Sequence, residues 1–301
     1  EPEGLAAALR ELLAALEPFD RLAVTMTGEL CDCYSSKEEG VLHILAAVEE
    51  ATATPPQFWL LDEGLCDLEK ARAEPLQAAA ANWQALSTWA AGLEGNEDSL
   101  LIDIGSTTTD IIRLEGGKPR AAGRTDPERL QLGELVYTGV RRTPVCALLE
   151  EADLKGQACP LAAEHFATSL DAWLLLEEIP ENPDCLSTAD GRPATRRMAQ
   201  DRLARMLCLD PQELEEKDAL SLARQIALAQ ENKICRAIGK VIEQGKPGGA
   251  FISGEGEFLA LRALQSLGLE DDLVTPMSRA CEPAGSEAAC AFALARLAAE
   301  S

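Results

Sequence analysis

Two hydrophobic periods alternate along the chain. Residues 4–16 (GLAAALRELLAAL) repeat Leu and Ala at helical spacing, and residues 38–51 and 76–93 carry the same rhythm. Short apolar runs of strand length lie between them: residues 21–26 (RLAVTM), which stop at Thr27-Gly28, and residues 58–61 (FWLL). Residues 100–104 (LLIDI) predict a buried strand, apolar except for Asp103, and residues 110–114 (DIIRL) predict its neighbour. The polar turn Gly105-Ser106-Thr107-Thr108-Thr109 joins them, and a glycine turn at 115–118 leads to a third strand near 119–123. The pattern from 144 to about 243 is mainly helical. Residues 249–253 (GAFIS) predict another buried strand, broken by Gly254-Glu255-Gly256, and 257–267 an amphipathic helix ended by Gly268. A last strand is expected at 273–276 and a last helix at 287–299, while Gly95-Asn96 marks a boundary. Hairpin strands mixed with long helices predict an α/β or α+β chain of two lobes.

Composition narrows the function classes. The 301 residues would fill one large domain or two medium ones, and 47% apolar with 26% charged residues excludes wholesale disorder. Asp plus Glu number 51 against 27 Lys plus Arg, a net charge of −24, so phosphate backbones and anionic lipid surfaces would repel the chain. Neither nucleic acid nor a membrane is an expected partner. No apolar stretch reaches the roughly 18 residues that a membrane span needs, and nothing reads as a secretory signal, so the expected compartment is the cytoplasm. Ten cysteines include no C-x-x-C pair, and only Cys31 and Cys33 lie close together. With two histidines, His43 and His165, a zinc site of the usual N/S kind is not expected, and most cysteines read as small buried hydrophobes.

The candidate chemistry concentrates in LLIDIGSTTTDIIRL. A carboxylate stands near the end of a buried strand, and the turn after it offers backbone N–H groups and four hydroxyls, Ser106 to Thr109. Gly105 would let the backbone approach closely, and such a turn suits phosphate oxygens. Asp103 or Asp110 could hold Mg2+ directly or through water. The bland alternative is a hairpin whose Ser and Thr satisfy their own turn. The second glycine turn, Gly254 and Gly256 before a helix N-terminus, favours anions, although Glu255 and Glu257 argue against a bare phosphate and a nucleoside or other organic group fits as well. Five arginines (Arg192, Arg196, Arg197, Arg202, Arg205) crowd residues 188–205 and either capture carboxylate or phosphate or pair with local acids. Glu134, Tyr137, Thr138 and Arg142 share one glycine-bounded loop, too polar for core packing alone. His165 opens an expected helix with Phe166, Leu170, Trp173 and Leu174 on its buried face, and could serve as a general base.

These residues resemble a known family. The DIGSTTTDI hairpin resembles the second phosphate loop of the acetate kinase/sugar kinase/hsp70/actin superfamily. More narrowly, the chain resembles the hydantoinase/oxoprolinase-related "tetrahydromethanopterin-linked C1 transfer pathway" proteins. The matching stretches run in order over almost the full length: 24–30 (VTMTGEL), Glu38-Glu39-Gly40, Ala81-Asn82-Trp83, 101–111, 133–144, 163–168, 188–191, 202–207 and 253–259.

The resemblance implies a two-lobed, actin-like (ribonuclease H-like) α/β fold. The first lobe, 1–98, would be completed by a C-terminal helix at 278–301; the second, 99–277, would carry a helical insertion at 144–245. It also implies a transferase of methanofuran-type cofactor synthesis. That enzyme joins an aminomethyl-furanmethyl diphosphate to γ-glutamyltyramine and expels diphosphate, in one-carbon metabolism. Phosphate contacts would then fall to Gly105, Ser106, Thr107, Thr108 and Arg142, with Asp103 and Asp110 on Mg2+. Substrate or nucleotide contacts would fall to Glu134, Tyr137, Thr138, Asp190, Arg202, Gly254 and Gly256. Glu29 or His165 would take the phenol proton. ATP is the superfamily's usual ligand, so an ATP-dependent kinase or ligase is the alternative enzyme, and a non-catalytic nucleotide-binding accessory protein the alternative class. Relatives begin with a D-x-G-G-x-x-x-K loop that these 301 residues lack. The expectation is a chain truncated at its N-terminus, with an exposed strand edge that invites association as a homodimer.

Overall fold

The computed structural model describes residues 2–16, 18–93 and 98–300, with nothing of the Gln244 side chain. The boundary expected at Gly95-Asn96 lies outside the described residues. The chain divides into two compact units: Glu1–Glu97 with Leu114–Pro119 and Cys281–Ser301, and Asp98–Arg113 with Arg120–Ala280.

The first unit is built on a three-stranded sheet. Leu22–Val24 runs parallel to Pro56–Leu60, which pairs antiparallel with Gly64–Cys66. The Lys37–Ala51 helix starts where the Ser36 side chain accepts from the Glu39 amide, and it buries Val41, Leu45 and Val48 against Phe58 and Leu60. The single helix expected over 76–93 is three pieces, Leu68–Ala73, Pro75–Ala78 and Asn82–Ala91. The break has two local causes. Ala80 takes a left-handed conformation (φ 46°), and the Gln77 carbonyl accepts from Leu61 at the end of the central strand. The Ala289–Glu300 helix belongs to this unit, where Phe292 meets Trp89 edge-on with centroids 5.3 Å apart.

In the second unit the strands run in the order Val274–Pro276, Gly249–Ser253, Asp98–Ile104, Thr109–Glu115. The first three are mutually parallel, with Ser253 in register with Asp103. Leu135–Val136 adds antiparallel to Thr109 and Asp110. Leu100, Ile102 and Ile104 are fully buried, as a parallel strand covered on both faces requires. They share a core with Ile234 and Ile238 of the Glu216–Val241 helix and with Leu259 and Ala263 of the Glu257–Ser266 helix. The third strand expected near 119–123 shrinks to Lys118–Pro119.

The stretch from 144 to 243 is not all helix. Glu151–Leu154 and Gln157–Pro160 form a hairpin around Lys155-Gly156, both with positive φ, and the Asp153 carboxylate accepts from the Gly156 amide. Helices follow at Ser169–Leu175, Arg196–Met206 and Glu216–Val241. Among the described residues no helix is long and apolar enough to cross a membrane.

Candidate functional site

The four-residue turn 105–108 sits at the sheet end of the second unit, between the Asp98–Ile104 and Thr109–Glu115 strands. It closes on itself through the Gly105 amide, which donates to the Thr108 carbonyl at 3.0 Å. A second loop is strapped to it by backbone alone. The Val140 amide donates to Gly105 O (3.0 Å), and the amides of Arg141 and Arg142 both donate to Ser106 O (3.0 and 2.9 Å). These bonds use the turn's carbonyls. The amides of Ser106 and Thr107 make no hydrogen bond to a described residue, and the hydroxyls of both lie 3.4 Å apart on a partly exposed surface.

The glycine that this geometry needs is Gly139, not Gly105. A Cβ on Gly139 would fall 2.4 Å from Gly105 O and 2.5 Å from Thr107 N, so only glycine lets the two backbones touch. Gly105 itself would carry a Cβ no closer than 3.8 Å to the Thr108 carbonyl. The close approach expected of Gly105 therefore comes from the other side of the contact.

Gly139 is in turn held from below by a buried polar network. The Gln230 amide nitrogen donates to Thr138 Oγ1 (2.9 Å) and Gly139 O (2.7 Å), while its oxygen accepts from Trp173 Nε1 (2.9 Å). Ser169 Oγ donates to the same Gly139 carbonyl at 2.8 Å, and the Gly139 amide donates to Thr143 Oγ1 at 2.9 Å. Thr109 Oγ1 donates to Thr138 O, which ties the loop to the strand that leaves the turn. Gln230, Ser169, Thr109 and Thr138 are all fully buried. A satisfied buried network of this kind specifies one arrangement of the loop.

The third component is the glycine turn after Gly249–Ser253. Gly254 has φ 86°, and a Cβ there would lie 2.3 Å from Ile104 O and 2.8 Å from Asp103 Oδ1, so this turn lies directly against the Asp103 carboxylate. The Gly256 amide donates to Ile104 O at 2.9 Å. Ser253, in register with Asp103, is fully buried, and its hydroxyl makes no hydrogen bond to a described residue. Glu255 then spans back to the strapped loop: Arg141 Nε donates to Glu255 Oε2 at 2.6 Å, and its NH2 pairs with Oε1. Asp103, Gly105, Ser106, Thr107, Thr108, Arg142, Thr138, Gly254 and Gly256 thus converge in one place.

Of the other candidates, Asp110 and Glu134 have partners within the second unit, and Tyr137 and His165 are exposed. Asp110 forms a buried ion pair with Arg129 at 2.6 Å, so its charge is committed to a guanidinium and Asp103 is the carboxylate beside the turn. Glu134 accepts from the Ala122 and Gly123 amides (2.6 and 2.9 Å) and so closes a neighbouring loop. Tyr137 is 57% exposed. His165 is exposed and lies before the helix, which begins at Ser169 behind the Thr168–Asp171 capping box; Phe166 is outside the core as well. Glu29 is buried in the first unit, where Gly40 packs against its backbone at a distance that excludes a Cβ.

The arginine-rich segment is an internal network. Arg202 is completely buried between Asp171 (2.7 Å) and Asp190 (3.1 Å), and Asp190 also pairs with Arg192 at 2.6 Å. Arg196 pairs with Glu177 and Glu181, and Arg197 with Asp201. Burial pushes the Asp190 carboxyl up, but hydrogen bonds from Arg192 and the Arg202 charge outweigh it and hold the group below its ordinary 3.8. The carboxylates here occupy the donors that an anionic substrate would need.

Four residues escaped the sequence reading. Gly139 and Arg141 sit inside the loop already singled out, where spacing does not distinguish them from Gly133 or Arg142. Gln230 was legible as a lone polar residue on the buried Ile226/Ile234 face of a helix. Glu255 carried the right sign for an arginine but no hint of which one.

In the first unit a cavity of about 790 Å³ is lined by Cys33, Tyr34, Ser36, Glu38, Glu39 and His43, among others, and the Tyr34 hydroxyl lies 2.8 Å from His43 Nδ1. Cys31 and Cys33 are exposed, and among the described residues no group of three or more His, Cys, Asp or Glu is arranged to hold a metal.

Known proteins share this chain's pattern. It is 33% identical over 246 residues (81% of this chain, 74% of the relative) to (4-{4-[2-(gamma-L-glutamylamino)ethyl]phenoxymethyl}furan-2-yl)methanamine synthase of Methanocaldococcus jannaschii. The Methanococcus vannielii protein of the same name is 33% identical over 172 residues, 57% of this chain and 77% of that one. A nucleotide-free structure of acetone carboxylase, from work on ATP-dependent acetone carboxylation, superposes with TM-score 0.55 at 13% identity over 98% of this chain. The chain spans 49% of that larger protein, and the likeness establishes a shared α/β fold. The family model for hydantoinase/oxoprolinase matches residues 20–301, and the chain belongs to that family.

Proposed function

We propose that the chain is a transferase of methanofuran-type cofactor synthesis, forming the aryl ether that its relatives' name describes. The phenol oxygen of γ-glutamyltyramine attacks the methylene carbon of an aminomethyl-furanmethyl diphosphate. The new bond is O–CH2, the bond broken joins that carbon to diphosphate, and the phenol proton leaves with a base. The furan ring shares the positive charge that grows on the carbon under attack. The protein's main task is then to accept negative charge on the departing diphosphate.

One observation carries this reading: the Ser106 and Thr107 amides make no hydrogen bond to a described residue, and their hydroxyls only meet each other, while the Gly105 and Ser106 carbonyls are bonded away to the Val140–Arg142 strap. Amide donors left over beside acceptors that are tied back suit oxyanions. Mg2+ fits the same place in its usual mode, one carboxylate plus phosphate oxygens and water. Asp103 would hold it directly or through water, with the orphaned Ser253 hydroxyl a further oxygen in register. Bound there, the metal would supply Lewis-acid stabilisation of the leaving oxygens. His165 is the proposed base within this unit, and the reaction as written balances without ATP.

The test is incubation with both substrates and Mg2+. Stoichiometric diphosphate and ether are expected. Consumption of ATP without ether would make the protein a kinase or ligase instead, and silence in both assays would make it an accessory protein.

A further inference from the structure

We infer that Gln230, buried in the Glu216–Val241 helix, is the positioning residue of the 105–108 turn. It fixes the peptide plane between Gly139 and Val140, and with it the arrangement in which the turn keeps amides for a diphosphate. The inference rests on the diphosphate reading of that turn and adds the residue that holds the turn in shape.

Gly139 creates the need. A Cβ there would fall 2.4 Å from Gly105 O, so only glycine lets the strap touch the turn, yet a glycine is also the residue whose backbone turns over most freely. The peptide plane after Gly139 is trans, so its C=O and N–H point in opposite directions. Its N–H, on Val140, donates to Gly105 O at 3.0 Å. Its C=O faces away from the turn and accepts from Gln230 Nε2 (2.7 Å), Ser169 Oγ (2.8 Å) and Thr143 Oγ1 (3.0 Å). Whatever holds that carbonyl therefore aims the Val140 N–H at the turn. A plane turned over would set the Gly139 oxygen against the Gly105 oxygen, and the strap would lose its hold.

Of the three donors, Gln230 is the one directed wholly at the strap. Both hydrogens of its amide nitrogen are used, one on Gly139 O and one on Thr138 Oγ1 at 2.9 Å. Its oxygen accepts from Trp173 Nε1 at 2.9 Å, and an indole nitrogen only donates, so the amide cannot turn end for end. Trp173 is itself fixed, fully buried and edge-on to Phe258 with centroids 5.0 Å apart. Core packing supplies no reason for an amide here. Its neighbours on the buried helix face, Ile226, Ala227 and Ile234, are apolar, and a buried amide is unfavourable unless its hydrogen bonds are made.

Calorimetric titration of the full chain with magnesium pyrophosphate, read beside hydrogen exchange at the Val140 amide, tests this. Gln230→Met keeps the length of the side chain and removes both donors. It is expected to weaken binding about tenfold or more and to speed Val140 exchange by a similar factor, while amides of the Asp98–Ile104 strand keep their protection. Trp173→Phe removes the indole donor but leaves both bonds to the strap, so it should lower the melting temperature and weaken binding less than about threefold. Ser169→Ala takes away another donor to Gly139 O and should weaken binding about threefold; it decides the matter where Gln230→Met does not fold. Wild-type affinity in folded Gln230→Met, or in Ser169→Ala in its stead, overturns the assignment and leaves the turn as the diphosphate site. An equal loss of affinity in Trp173→Phe does the same, as does faster exchange of all amides together, since either marks general loosening. A wild-type chain that binds no magnesium pyrophosphate removes the site reading and this inference with it.

Discussion

Two regions of the second unit look alike as sequence and behave oppositely as structure. The GSTT turn and the arginine-rich segment 188–205 both advertise groups that bind anions. In the first, backbone bonds from Val140, Arg141 and Arg142 engage the Gly105 and Ser106 carbonyls, while the Ser106 and Thr107 amides make no hydrogen bond to a described residue. In the second, Asp171, Asp190, Asp201, Glu177 and Glu181 pair with the arginines, and the most promising of them, Arg202, has no exposed surface. The difference teaches that an anion site is recognised by what its donors lack, not by how many there are. Five guanidiniums are matched with acids, one of them buried. A single turn keeps amides left over, and these are the donors on which the proposed function rests.

Four experiments press on that contrast. The largest effect is expected from Arg202→Ala, which strands the buried Asp171 charge and should cost about 3–5 kcal/mol in urea denaturation. Pyrophosphate affinity of the protein that remains folded should not change, and a selective loss of affinity would restore this segment as a substrate site. Asp103→Asn should do the reverse, lowering the rate of diphosphate release about a hundredfold with little change in stability. Normal turnover in that variant removes Asp103 from the chemistry. Gly139→Ala drives a methyl group into Gly105 O and should cost about 1–3 kcal/mol while also weakening pyrophosphate binding, because the strap is forced off the turn. Loss of stability with intact binding would mean that the strap does not shape the receptacle.

The smallest effect is a pH dependence in the arginine network. The folded pKa of Asp190 is depressed, so its ionised form favours the folded state. That stability is present above the unfolded value of 3.8 and disappears as pH falls through the lower folded one. Denaturation of wild type and Asp190→Asn from pH 7 to pH 3 should therefore show a gap that narrows on acidification. A gap that widens instead would contradict the ion pairs described here.

The elements themselves were largely legible. The runs at 100–104, 110–114 and 249–253 are strands whose burial keeps them apolar at most positions. The failures have local reasons. The 151–160 hairpin hides in a segment whose strands, EADL and QACP, lack a clear alternation, and its signal was only the Lys155-Gly156 turn. The continuous helix over 76–93 ignored the tertiary bond from Leu61 to Gln77, which no pattern within that segment contains.

The sequence by itself determined the family, the α/β class and the turn on which the site is built, because these depend on short-range order: apolar runs, glycines, and a carboxylate followed by hydroxyls. Only the tertiary structure decided which groups are left to bind anything. Asp110 parts from Asp103 through Arg129, 19 residues along the chain, and Arg141 from Arg142 through Glu255, 114 residues away. Hydrogen-bond donors and charges are neutralised pairwise in space, and the pairing is invisible until the chain has folded.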